Sequence, residues 1–140
     1  MDERDHARNI AMARMVLGAG FVALPGLAGP TWIGSDARSG GAHTLARGFG
    51  ARDAILGYGL FRALENGDGE EIRRWLLFGA VADAGDLLGT LGSWRRLPRV
   101  QRTMIAAGIV GFGAFAVWLS QQFWDPCCNF LNMLHRSNRR

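Results

Sequence analysis

Five ionisable side chains stand inside stretches that are otherwise apolar: Arg14, Arg52, Asp53, Asp83 and Asp86. Such groups have two chemical uses away from water. They can pair, because a planar guanidinium offers two N–H donors to one carboxylate. Alternatively, a carboxylate left without a cation holds its proton more tightly and can serve as a relay. Gly79, Asp83, Asp86 and Thr90 recur at i, i+4, i+7 and i+11, the spacing of one helix face. Arg52 and Asp53 are adjacent and point about 100° apart on a helix, so they do not neutralise each other across a single face. Arg14 lies about a turn into its own apolar stretch, where its stem can snorkel. Depth in antiparallel helices sets Arg14 beside Asp83, and Arg52 beside Asp86. Two arginines then face three acids, so one carboxylate is in surplus. Three readings stay open. The charges lock helices in register, with Asp53 near the surface; or they form a proton or ion relay or a small polar pocket; or they contact a partner subunit.

The elements that must carry these residues follow from hydropathy. The chain has 140 residues, a formal charge of +4, and 16 basic residues that are all arginine. Its mean hydropathy of +0.04 conceals segregation. Apolar stretches fall at about 10–27, 46–64, 75–94 and 103–124, and residues 104–119 contain no polar side chain. With the second stretch taken as 48–64, the charges inside the four cores are the five above and Arg62; the connectors hold the rest. About 20 apolar residues cross a hydrocarbon layer of roughly 30 Å, so the pattern predicts an all-α, four-transmembrane-helix bundle, an integral membrane fold. An ionised group within a span costs roughly 2.5–3.5 kcal/mol, which is why the five matter. Small residues favour close helix contact at Gly85 and Gly89 and at Ala107 and Gly111, each pair four apart. Trp32, Trp75, Trp94 and Trp124 fall near the predicted span ends, as an aromatic belt would.

Connector chemistry marks the ends. Pro30 and residues 34–41 form the first connector, residues 66–69 (NGDG) read as a turn before Glu70 and Glu71, and Pro98 breaks the third connector. The whole chain reads as one domain, with residues 125–140 a basic interfacial tail. Arg95, Arg96, Arg99, Arg136, Arg139 and Arg140 are the candidates for lipid headgroup or interface contact. Flanking arginines, eight on the side of both termini against six on the other, favour a multi-pass plasma (inner) membrane protein with cytoplasmic termini. The leader carries Asp2, Glu3 and Asp5, the wrong charge for a cleaved signal peptide.

At Arg47-Gly-Phe-Gly-Ala-Arg-Asp-Ala-Ile-Leu-Gly the chain resembles the R-x-x-G-x-R-D-x-x-L-G signature of a family of small bacterial, often actinobacterial, membrane proteins of unknown function. The resemblance covers roughly residues 10–119. Gly50, Arg52, Asp53, Gly57, Asp83 and Asp86 make it specific. It implies a four-helix architecture with an aspartate pair on the third helix, and no activity. Exclusive use of arginine fits a GC-rich genome equally well.

Other motifs fail on chemical grounds. Residues 48–53 lack the final glycine and the preceding strand of a dinucleotide fingerprint. Cys127 and Cys128, with His135, do not have the spacing or the four ligands of structural zinc, so no metal and no cofactor is expected. Adjacent cysteines also exclude a disulfide framework. The positive charge is spread over both ends of the spans, which argues against nucleic acid. These readings lead to a non-enzymatic accessory or assembly subunit of a larger membrane complex, such as a lipid transporter or respiratory complex. Its partners would be membrane lipids and other membrane protein subunits, and a homo-oligomer is compatible. The alternative is a small proton-coupled carrier or channel built on the intramembrane Asp and Arg residues.

Overall fold

A computed structural model of the chain describes residues 2–124, the side chains at 31, 33, 35 and 36 excepted. These residues form five α-helices: α1 (Glu3–Ala23), α2 (Pro25–Ile33), α3 (Gly40–Asn66), α4 (Gly69–Gly92) and α5 (Arg99–Gln122), with a 3-10 turn at Gly34–Arg38. The ends are set by local chemistry. Leu24 precedes Pro25 and leaves helical geometry at φ −128°, ψ 53°, as the residue before proline is pushed to do. Ser39 caps α3 by accepting from the Ala42 N–H at 3.1 Å. Gly67 ends α3 with φ +72°, a left-handed conformation that a side chain would oppose. Asp68 then caps α4 by accepting from the N–H groups of Glu70 (3.0 Å) and Glu71 (3.1 Å). The turn expected at residues 66–69 is therefore the α3–α4 joint.

α1 and α3 run antiparallel with their backbones in near contact. A Cβ on Gly50 would lie 2.5 Å from the Gly18 carbonyl oxygen, and one on Gly57 would lie 2.6 Å from that of Ala11. Only glycine permits this approach. α4 and α5 complete the bundle, with α4 antiparallel to both α3 and α5. At the end nearest the Gly67 turn, Ala7, Ile10, Leu60, Leu64, Ile72, Leu76 and Leu119 form a continuous apolar core.

Hydropathy led to four membrane spans, and the helices correct that. Among the described residues only α5 is long and apolar enough to cross a bilayer. The first apolar stretch is split at Leu24, and its remaining helical part, residues 10–23, rises about 21 Å, short of a roughly 30 Å core. The rest of α1 runs back into the charged leader. α3 carries Arg47, Arg52, Asp53, Arg62 and Glu65, and α4 carries Glu70, Glu71, Arg73, Arg74, Asp83 and Asp86. A four-transmembrane bundle, its multi-pass plasma-membrane placement and the transport role that would go with it thus do not stand. The helical class does.

The glycine contacts predict opposite outcomes for one chemical change. Gly50→Ala should destabilise the protein by about 1–3 kcal/mol, because backbone must move. Gly89→Ala, where a Cβ meets nothing within 4 Å, should stabilise by about 0.5–1 kcal/mol through helix propensity. Urea unfolding followed by circular dichroism checks both; equal effects would refute the close packing.

Candidate functional site: a five-membered charge network

Arg14 points inward from α1 and is only 4% exposed, so it does not snorkel. Its Nη1 donates to Asp53 Oδ1 on α3 at 2.9 Å, and its Nη2 donates to Asp83 Oδ2 on α4 at 2.6 Å. Phe112 of α5 lies under the guanidinium, 5.0 Å from Cζ to the ring centroid. Gly79 supplies the remaining wall: a Cβ there would sit 3.0 Å from Nη2 and 3.3 Å from Cζ. One side chain therefore touches all three other long helices.

Arg52 forms the second arm. Nη1 donates to Asp86 Oδ1 at 2.8 Å and Nη2 to Asp86 Oδ2 at 2.7 Å, a bidentate pair. A longer 3.4 Å contact links Nη2 to Asp53 Oδ1. Phe49 stacks against this guanidinium, with Cζ 4.7 Å from the ring centroid. The order is continuous: Asp83, Arg14, Asp53, Arg52, Asp86. Signs alternate and both ends are negative.

The structure brings together all five charged residues singled out from the sequence. It corrects three details. Asp53 is buried rather than near the surface, Arg14 bridges two acids rather than one, and Arg52 does reach its neighbour Asp53. Thr90 leaves the network and donates to the Asp86 carbonyl at 2.8 Å. The small residues expected at helix interfaces are placed otherwise. Gly85, Gly89 and Gly111 have nothing near the Cβ position, and Ala107 is exposed. Close packing falls instead to Gly18, Gly50, Gly57, Gly59 and Gly79; Gly50 and Gly57, seven apart on α3, were the available signal. Arg95, Arg96 and Arg99 are exposed around the α4–α5 connection. Cys127, Cys128, His135, Arg136, Arg139 and Arg140 lie outside the described residues.

Burial pushes the Asp83 carboxyl above its ordinary value of 3.8; Arg14 opposes the shift, and repulsion from Asp53 and Asp86 adds to it. Arg52 is shifted upward chiefly by its hydrogen bond to Asp86 and stays charged. The folded protein thus holds the Asp83 proton more tightly than the unfolded chain does. Asp83's contribution to stability is full below 3.8 and is lost as pH rises through its elevated folded value. Asp83→Asn should flatten that part of the stability profile, read as unfolding free energy between pH 4 and 8.

Removing the bridging cation is the stronger perturbation. Arg14→Met takes away the donor shared by the buried Asp53 and Asp83 and should cost about 3–5 kcal/mol in urea unfolding. Arg62→Met, which breaks the exposed pair with Glu65, should change stability by less than about 1 kcal/mol. Similar losses for both would show that the network is not structural. Compared with family models, curated proteins and solved structures, the chain has no match in any of the three.

Proposed function

We propose that this chain is a non-catalytic accessory or assembly subunit, a helical scaffold that packs against a larger complex. The supporting observation is where its apolar surface lies. Val81 and Leu88, seven apart on α4, are each 71% exposed, and on one face of α5 Val100, Met104 and Trp118 are 66%, 70% and 50% exposed. Scattered apolar side chains are ordinary on a protein surface, but rows of them along two long adjacent helices mark a face made for contact. The interior supports the same reading. Its three carboxylates are engaged by two guanidiniums and hold helices together.

Purification in mild detergent, followed by mass spectrometry, tests the proposal. A partner should accompany the chain at fixed stoichiometry and be lost from a Met104→Glu, Val81→Glu variant that keeps its helical circular dichroism. A monodisperse chain without a partner, or one retained by the variant, would overturn it.

A further inference from the structure

The charge network lies at a boundary in the packing of α4. Toward the Gly67 turn, α4 is seated in the bundle: Ile72 and Leu76 are fully buried, and Trp75 lies where a Cβ on Gly59 would be 2.5 Å from its ring. Beyond Asp86 the packing thins: among the described residues Gly89 and Gly92 meet nothing within 4 Å of the Cβ position and Leu88 and Leu91 are exposed, while Leu87 and Thr90 remain half-buried. α1 and α3, by contrast, stay in backbone contact at Gly18 and Gly50, on the same side of the network as the open part of α4. At this boundary α4 is joined to that rigid pair through Arg14–Asp83 and Arg52–Asp86.

We propose that the network is a proton-operated clasp, holding the Asp83–Gly92 stretch of α4 against the α1–α3 pair when Asp83 is neutral and releasing it when Asp83 is ionised. The charge count supplies the reason. Two guanidiniums and three carboxylates sum to −1 when all are ionised, and Arg14, Asp53 and Asp83 are each less than a tenth exposed. A surplus charge out of water is relieved in one of two ways: a proton neutralises it, or the site opens and hydrates it. The charged groups acting on Asp83 are Arg14 from α1, Asp53 from α3 and Asp86 on α4 itself, and Arg52 from α3 pairs with the last two. α5 contributes Phe112, against Arg14, and Gly113, neither of which titrates. With the proton on Asp83, Arg14 is balanced by Asp53 and Arg52 by Asp86, and the network is neutral. The elevated proton affinity of Asp83 agrees in sign. This inference stands apart from partner binding, since it concerns the chain alone.

Hydrogen exchange on the full chain, corrected for intrinsic rates between pH 5 and 8, reads the clasp. Protection of residues 83–92 should fall as pH rises, by up to tenfold per unit above the midpoint, as linkage to one proton requires. Residues 50–60 of α3 should hold constant. Asp83→Asn should abolish the pH response and keep protection at the acid level. Should that variant not fold, the wild-type chain still decides. The carboxyl carbon resonance of Asp83 and the protection of α4 must share one midpoint. Protection independent of pH, separate midpoints, or a folded Asp83→Asn less protected than wild type at every pH would each overturn the clasp.

Discussion

A single guanidinium orders this bundle. Arg14 is carried by α1, bonded to α3 through Asp53 and to α4 through Asp83, walled by Gly79 and floored by Phe112 of α5. Buried ion pairs seldom add much net stability, because desolvation offsets attraction. Their value is geometric. A guanidinium that must satisfy two carboxylates in fixed directions allows one axial register for three helices. Sliding any of them by a turn would leave charge unpaired in the interior. The apolar core of Leu60, Ile72, Leu76 and Leu119 is less demanding, since aliphatic surfaces tolerate a shifted register better than ion pairs do.

Glycine makes this arrangement sterically feasible. Gly18 and Gly50 bring α1 and α3 close enough for the Arg14 stem to reach past α3 toward α4, and Gly79 leaves room for the guanidinium against the α4 backbone. The cost is borne in helix propensity, about 1 kcal/mol for each interior glycine relative to alanine. Not every glycine serves this purpose. Gly85, Gly89 and Gly92 lie on the open part of α4, where no neighbour among the described residues requires them.

Much of the site was legible in the sequence. Charged residues inside apolar stretches must find partners, and helical spacing places Asp83 and Asp86 on one face with Gly79. Antiparallel depth then pairs Arg14 with Asp83 and Arg52 with Asp86. The role of Asp53 was not legible, because adjacency to Arg52 says nothing about a cation arriving from a different helix. The same holds for Gly18 and Gly50: a glycine reads alike whether it faces another backbone or solvent. The membrane reading failed for a related reason. Composition delimits apolar stretches but does not say where a helix stops, and the break at Leu24–Pro25 shortened the first one.

By itself the sequence determined the helical class, the joints at Gly67–Asp68 and Pro98, and the five residues that had to meet inside. These depend on local periodicity, capping and the penalty for an unpaired charge, all of which are readable within a few turns of chain. Only the tertiary structure decided that Arg14 bridges two acids, that the described residues close into a bundle in which one helix is apolar enough to span, and that the closest glycine-to-backbone contacts fall between α1 and α3. Those outcomes depend on which faces meet across gaps of 39 and 69 residues, and no local pattern specifies that.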